Sequence, residues 1–198
     1  MKRHRPIIYA VIAIMILLLV NGCTALRRAV LPYEDEPLVW QPTDSIQDLD
    51  LSKVDPLYRD KIKVLPFVDL RDNKKELAQK VTTQDDVAAW STDRFKYILK
   101  QVGLDIVDSG ETVVIKGDIL TFVVVEDSLY HGNIGIKLIV ESTEGKLLWQ
   151  GMLAGRSNRW GGTYKLENYY ETISNAYLDA VKNILKNDSF VSAFKRER

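Results

Sequence analysis

Few side chains in this sequence have the types and spacing that catalysis requires. Carboxylates cluster at Asp69–Asp72 and at Asp85–Asp86, and paired carboxylates can act as general acid and base. Helix capping and a solvated loop explain the same residues more simply. His131 is the single histidine beyond His4, and no spacing around it matches a catalytic triad or a metal site. We therefore expect a protein that is not an enzyme and that has no cofactor and no metal site.

The stretch from Arg156 to Tyr164 is the best candidate for a binding site. It places Arg159, Trp160 and Tyr164 around two glycines, and these side-chain types are enriched at binding hot spots. A helix N-terminus follows and could bind an anion, although the spacing of a phosphate loop is absent. The alternative is a loop whose Trp160 packs on the sheet. We predict a partner-binding site at Arg159, Trp160 and Tyr164.

The only cysteine, Cys23, directly follows a hydrophobic N-terminal segment. Three basic residues, at positions 2, 3 and 5, precede an unbroken apolar run over residues 7–20, which is typical of a secretory signal. The next residues, Val20-Asn21-Gly22-Cys23, have the pattern of a lipobox. A thiol at the membrane surface can form a thioether with diacylglycerol, and two or more acyl chains give a stable anchor. We predict a signal peptide over 1–22 and lipidation, including palmitate, at Cys23.

Two aspects of this N-terminal address remain open in the sequence. Residues 6–26 are long enough to cross a membrane as an uncleaved signal anchor, with Arg27 and Arg28 as the stop. Thr24, rather than Asp, follows the cysteine, which resembles the pattern of lipoproteins sent to the outer membrane. We predict an envelope protein anchored by lipid in the outer membrane and facing the periplasm.

Charge and composition exclude one class of partner. The chain carries 27 basic and 27 acidic residues, and cleavage before Cys23 removes three basic residues and no acidic one, which leaves about −3. Nucleic-acid binding needs a basic surface, so we expect no nucleic-acid partner. We expect contact with the membrane through the lipid and with an envelope protein, and the oligomeric state is unknown.

The rest of the chain predicts a tether followed by one α+β domain. Residues 23–60 contain four prolines and read as a tether, in which residues 38–40 could dock on the domain. Residues 61–198 predict a mostly antiparallel sheet with helices packed on one face, in the order strand, helix, strands, helix. No internal repeat is visible.

Periodicity gives the elements of this domain. We predict a strand over 62–70, with Pro66 favouring an edge or bulge, and a helix that Thr83 begins and Gly103 ends. Asn168 and Glu171 form a capping-box-like pair at the start of a second helix, and Asp188 caps a short last helix. The predicted core faces of the two long helices comprise Val87, Ser91, Phe95, Ile98, Leu99 and Val102, then Tyr169, Ile173, Ala176, Tyr177, Ala180, Val181, Ile184 and Leu185.

The strands between the helices alternate with a period of two. We predict a long strand over 112–125, a turn over 130–133, a hairpin turn over 143–146 and a returning strand over 147–156. On the long strand, one predicted face carries Val113, Ile115, Ile119, Val123 and Val125, and the other carries Val114, Leu120, Phe122 and Val124.

These features together resemble small envelope lipoproteins of the YajG type. The likeness lies in the lipobox, the helix that ends before Gly103, the Gly132-Asn133 and Gly145-Lys146 pairs, and the ending from Asn187 to Phe194. It covers about residues 60–195. The resemblance implies a fold similar to the N-terminal domain of TolB and to auxiliary lipoproteins of lipid-trafficking transporters. It implies a non-enzymatic protein and brings no catalytic residues.

Three functions follow as hypotheses. The first is a lipid-anchored binding or scaffolding module with a protein partner. The second is an auxiliary subunit of a lipid or solute transporter, which would bind an apolar ligand on the second face of the long strand if protein leaves that face uncovered. The third is a hydrolase, for which the sequence offers no motif.

Overall fold

The computed structural model describes residues 35–48, 54, 57, 60–161 and 165–194. The chain divides into two compact units, Met1–Tyr33 and Glu34–Arg198, and all described residues belong to the second. Cys23 lies outside the described residues. Lipidation and the division into residues 1–22, 23–60 and 61–198 therefore stay predictions.

The order of elements agrees with the predicted order of strand, helix, strands and helix. After a short 3-10 helix, Ile46–Asp48, the described elements are β1 (Lys61–Val64), β2 (Val68–Asp69), β3 (Glu76–Ala78), β4 (Val81–Thr82), α1 (Val87–Gln101), β5 (Asp105–Ile106), β6 (Val113–Glu126), β7 (Tyr130–Ser142), β8 (Leu147–Arg159), α2 (Leu166–Leu185) and α3 (Asp188–Ser192).

The sheet is mixed, so the expectation of a mostly antiparallel sheet was wrong. Strands β6, β7 and β8 form an antiparallel meander. The opposite edge of β6 pairs in parallel with β1, β2 and β3, and β1 also pairs in parallel with β5. The physical reason is the helix α1 between β1 and β6, because a crossover helix returns the chain in the same direction.

A β-bulge at Leu120 changes which residues of β6 face the core. The register with β7 shifts between Ile119 and Thr121, so one extra residue lies on β6. A shift of one residue moves every later side chain to the opposite face. Phe122 and Val124 are therefore in the core, at 0% and 1% exposure, while Val125 is exposed. The predicted face assignment was right before the bulge and wrong after it.

All three helices pack on one face of the sheet, as predicted. Trp90 of α1 contacts Phe122 edge-on, with ring centroids 5.5 Å apart. An added Cβ at Gly132 of β7 would lie 2.7 Å from the Thr172 carbonyl oxygen of α2, so that helix lies directly on the strand. Phe190 of α3 packs on Trp149 of β8, with ring centroids 5.1 Å apart.

The predicted core faces of both long helices are confirmed. All fourteen of the residues named above on α1 and α2, or directly after α1, are buried. The same holds for Phe190, Val191 and Phe194 at the end of the described chain. Helical periodicity was therefore a reliable guide to the core.

The helix boundaries differ from prediction at the N-termini. Asp86, not Thr83, caps α1, because its side chain accepts hydrogen bonds from the N–H groups of Ala88 and Ala89. Asn187, not Asp188, caps α3 in the same way. Helix α2 begins at Leu166 without a side-chain cap.

Glycines mark two predicted boundaries correctly. Gly103 has φ +84° after α1, and Gly145 has φ +82° in the hairpin turn between β7 and β8. The predicted turn over residues 130–133 was wrong, because those residues already belong to β7. Strand β8 also runs three residues beyond the predicted end at Arg156.

Residues 35–48, which we call the strap, pack on the domain although they fall within the predicted tether. The Trp40 ring lies edge-on to Trp90 and Tyr177, with centroids 5.8 and 6.4 Å apart. The Leu38 N–H donates to Asp85, and the Gln41 N–H donates to the Ser174 hydroxyl. The sequence left open whether residues 38–40 dock on the domain, and the structure shows that they do.

The strap begins beside the start of α2. The Glu36 N–H donates to the Thr82 carbonyl oxygen at 3.0 Å. Burial, and then the negative charge of Glu36 with those of Glu167 and Asp85, raises the pKa of Tyr170. Glu36 therefore lies near the first turns of α2.

Candidate binding surface at the end of β8

Trp160 is the most exposed large hydrophobic residue among those described. It directly follows the last residue of β8, Arg159, and 76% of its surface is accessible. The sequence left open whether Trp160 packs on the sheet or is free to contact a partner. The structure places it in solvent. Tyr164, the third predicted site residue, lies outside the described residues.

A rigid platform supports the Trp160 turn, which we define as Trp160–Gly161. The rings of Tyr130 and Tyr169 pack edge-on behind it, with centroids 5.1 Å apart, and the Tyr169 hydroxyl donates to Glu126. A Cβ added at Gly161 would lie 2.6 Å from both the Asn168 amide nitrogen and the Tyr130 ring. The turn therefore lies against β7 and α2, and a side chain at position 161 would require Asn168 or Tyr130 to shift.

Arg159 belongs to an internal network and is not a free side chain. Its Nε donates to the Asn168 side-chain oxygen at 3.0 Å, and its guanidinium forms an ion pair with Glu171. The other Glu171 oxygen accepts a hydrogen bond of 3.4 Å from the side-chain nitrogen of Gln41 in the strap. Arg159 can therefore hold the Trp160 turn in place, and Trp160 offers the contact surface.

Sequence reasoning missed three members of this network. Asn168 and Glu171 were predicted to cap α2, whereas both lie inside the helix with 6% and 9% exposure. Gln41 lay in the predicted tether. Asn168 and Glu171 are three residues apart and therefore lie on the same face of a helix. Because a buried carboxylate needs a partner, this spacing could have indicated a buried polar network.

The contacts of Asp69, Asp85 and Asp86 are structural: Asp86 caps a helix as predicted, whereas Asp69 is buried and does not lie in a solvated loop. Asp69 and Arg71 form a buried ion pair, and Arg71 also donates to the carbonyl oxygens of Glu76 and Phe122. Burial acts to raise the pKa of Asp69, but the hydrogen bonds and charge of Arg71 outweigh it and lower the pKa.. Asp86 caps α1, and Asp85 holds the strap.

His131 lies in β7 and not in a turn. Its Nδ1 is 2.7 Å from the Asn158 side-chain oxygen, and its Nε2 is 3.1 Å from the Asp127 carboxylate. The hydrogen bond with Asn158, followed by the hydrogen bond and charge of Asp127, raises the pKa of His131. These contacts favour the protonated form of the imidazole.

The outer face of the sheet is a second exposed surface. Leu120, Val125 and Met152 are 46%, 51% and 49% exposed on it. Asp118 and Lys137 lie opposite each other beside Leu120 and Met152, and the exposed Thr121 follows Leu120 on β6. The apolar face that the sequence predicted is not continuous, because Phe122 and Val124 are buried.

Side chains of α2 protect the free edge of β8 near this face. Asp179 accepts the Arg156 N–H at 3.0 Å, and Asn183 donates to the Ala154 carbonyl oxygen at 3.2 Å. These four residues line a cleft of about 440 Å³. Occupied edge groups cannot pair with an added strand, so this part of the edge is closed to strand addition.

The described part of the chain also lacks two features that would indicate other functions. No group of three His, Cys, Asp or Glu side chains there could hold a metal ion. No helix there has the length and hydrophobicity needed to cross a membrane.

Comparison with known proteins gives similarity at the level of fold. No family model and no curated protein matches the sequence. A Xanthomonas campestris protein of the DUF330 family has a similar structure, with a TM-score of 0.52, 9% identity, and coverage of 78% of this chain and 91% of that chain. A second, uncharacterised protein has a TM-score of 0.53 and 8% identity, with coverage of 78% of this chain and 97% of that chain. A lipoprotein from Neisseria meningitidis is more distant, with a TM-score of 0.36 and 11% identity, and with coverage of 55% of this chain and 88% of that chain.

The chain therefore shares its α+β fold with the first two of these proteins. At identities of 8% and 9% this similarity concerns the fold alone.

Proposed function

We propose that this protein is a lipid-anchored, non-enzymatic binding module of the bacterial cell envelope, related to lipoproteins of the YajG type. The N-terminal pattern ending in Cys23 supports the anchor and an outer-membrane location facing the periplasm. The exposure of Trp160 on a rigid platform supports binding. We propose that the Trp160 turn contacts an envelope protein partner.

The exposed tryptophan is the single observation that carries this proposal. An indole in water gains free energy when a partner buries it, because aromatic side chains remove a large apolar area from water on contact. The platform of Tyr130, Tyr169 and Asn168 lowers the entropic cost, since the backbone that carries Trp160 is already ordered. The fold itself gains little from the side chain, which touches solvent over most of its surface.

The alternative function as a transporter subunit with an apolar ligand has less support. It depended on a continuous apolar face formed by Val114, Leu120, Phe122 and Val124. The bulge at Leu120 puts Phe122 and Val124 into the core.

The test is partner crosslinking in intact cells with wild-type protein and with Trp160→Ala. A hot-spot truncation costs about 2 kcal/mol or more, or roughly thirtyfold in affinity, so the crosslinked product should largely disappear. The melting temperature should hardly change, because exposed substitutions alter stability by about 0.5 kcal/mol or less.

Tyr97→Ala is the matched control, because Tyr97 is an exposed aromatic residue on α1 with 44% accessibility. It should leave crosslinking unchanged. Equal crosslinking by wild type and Trp160→Ala would reject the Trp160 turn as the binding surface. A large fall in the melting temperature of Trp160→Ala would return the residue to a structural role.

A further inference from the structure

The strap and the Trp160 turn share one buried side chain. Glu171 of α2 accepts from Gln41 on one oxygen and pairs with Arg159 through the other. The two segments are far apart in sequence, so this connection exists only in the folded chain.

Burial makes the Glu171 carboxylate dependent on both partners. The residue is only 9% exposed, and a buried charge without hydrogen bonds is costly. Removal of the Gln41 amide leaves Arg159 as the partner described for this carboxylate. The carboxylate is then free to change its position, and the Arg159 guanidinium follows it.

Movement of Arg159 reaches Trp160 directly. The two residues are adjacent in the chain, and Arg159 also holds Asn168 at the platform of the turn. Gly161 lies close to Asn168 and Tyr130, so we expect a shift of Asn168 to change the position of the turn.

The strap is held by contacts that can be altered separately from this network. The Asn175 side chain accepts the Thr43 N–H at 2.9 Å and donates to the Thr43 hydroxyl at 2.7 Å. Among the described residues, no hydrogen bond or ion pair joins Asn175 to Glu171 or Arg159.

We propose that Gln41, Glu171 and Arg159 are positioning residues that couple docking of the strap to the position of the Trp160 turn. This inference rests on the proposed function for its biological meaning, since the turn is the proposed binding surface. The strap is the described segment nearest to Cys23 in sequence. In this proposal, docking or release of the strap therefore changes the geometry of the binding surface.

The test uses the full lipidated chain in detergent micelles with 5-fluorotryptophan at its four tryptophans, observed by fluorine NMR. The Trp160→Phe variant assigns the Trp160 resonance. Gln41→Leu should shift or broaden that resonance and leave the Trp149 resonance unchanged. Asn175→Ala, which loosens only the strap, should act in the same direction.

Gln47→Leu is the matched control, because Gln47 is an exposed strap residue whose side chain makes no contact with the network. Its spectrum should equal the wild-type spectrum. Partner crosslinking should fall about threefold in Gln41→Leu, as expected for one lost hydrogen bond.

The outcomes separate this inference from the proposed function. An unchanged Trp160 resonance in both Gln41→Leu and Asn175→Ala overturns the coupling, whatever the crosslinking shows. A third variant, Glu171→Gln, changes the shared side chain itself. If only this variant shifts the Trp160 resonance, the coupling is also overturned, since the strap then plays no part. Absence of any partner for the wild type, with the predicted shifts present, rejects the proposed function and leaves the coupling standing.

Discussion

At the scale of single residues, the three predicted binding residues have different roles. Trp160 offers surface to solvent, Arg159 is engaged inside the protein, and Tyr164 lies outside the described residues. Residue type alone predicted that an aromatic and a basic side chain would be important at this position. It could not predict which of them faces outward, because that depends on Glu171, which approaches from another element.

Cys23 permits the most direct test of the membrane anchor. The thiol is the only possible acyl acceptor after the apolar run. Cys23→Ser should therefore prevent lipidation and leave an unprocessed precursor in the inner membrane, as measured by labelling with a radioactive fatty acid and by gel mobility. Equal labelling and mobility of mutant and wild type would contradict the lipoprotein proposal and favour the uncleaved signal anchor.

His131 should make stability depend on pH. Its pKa is raised in the folded state, so folding favours the protonated form. The contribution is complete below the unfolded pKa of about 6.5 and is lost as the pH rises through the higher folded pKa. Urea unfolding at pH 5.5 and pH 8.5 should show greater stability at the lower pH.

The control for this effect is His131→Gln. Asp127, the partner of His131, has a lowered pKa and stays ionised over this range, so its contribution does not change with pH. The difference in stability between the two pH values should shrink in the variant. An equal difference in wild type and variant would show that another group titrates.

At the scale of elements, helices were predicted well and strands less well. The period of 3.6 residues identified every core position named on α1 and α2, because no irregularity interrupts either helix. A strand has a period of two, so the single extra residue at Leu120 reversed all later assignments on β6. No residue beside Leu120 marks the bulge, since neither glycine nor proline occurs between Asp118 and Glu126.

Gly155 tests the contact between β8 and α2. An added Cβ would lie 2.2 Å from the Ala176 carbonyl oxygen and the Ala180 nitrogen, which are backbone atoms that cannot rotate away. Gly155→Ala should therefore destabilise the protein by about 2 kcal/mol or more, as measured by urea unfolding. The helix must move from the strand to accept the methyl group.

Gly135→Ala is the matched control on the neighbouring strand. There the added Cβ would lie 3.3 Å from the Thr121 side chain and 3.7 Å from the end of Met152, on the outer face. These side chains can adjust, so the loss of stability should be about 1 kcal/mol or less. Similar losses in the two variants would contradict the close packing of α2 on β8.

At the scale of the whole molecule, the sequence predicted the layers but not the sheet topology. One layer of helices on one face of a sheet followed from the order of amphipathic elements. The parallel pairs did not, because β2, β4 and β5 have only two residues each and give no periodic signal. Docking of the strap was also only partly visible, since its prolines predict a tether equally well.

The strap should contribute to the stability of the domain. Trp40 packs on Trp90 and Tyr177, and the Arg94 guanidinium lies 6.0 Å from its ring centroid. Trp40→Ala should lower the free energy of unfolding by about 2 kcal/mol, somewhat less than the loss at a fully buried tryptophan. Urea unfolding followed by circular dichroism measures the change.

Val39→Ala provides the comparison, since Val39 is 38% exposed on the same segment. It should change stability by about 0.5 kcal/mol or less. Equal stability of Trp40→Ala and wild type would show that the strap is not part of the cooperative unit.

The place where the strap begins has a consequence for how a partner is found. Glu36 and Trp160 both lie near the start of α2. In the proposed lipoprotein, the thirteen residues from Cys23 to Asp35 can span at most about 45 Å, so the lipid would keep the Trp160 turn within a thin layer above the bilayer. A partner in the same membrane would then meet the turn at an effective concentration on the order of millimolar. Even a weak intrinsic affinity would suffice for such a complex, and the complex would dissociate if the protein lost its lipid anchor.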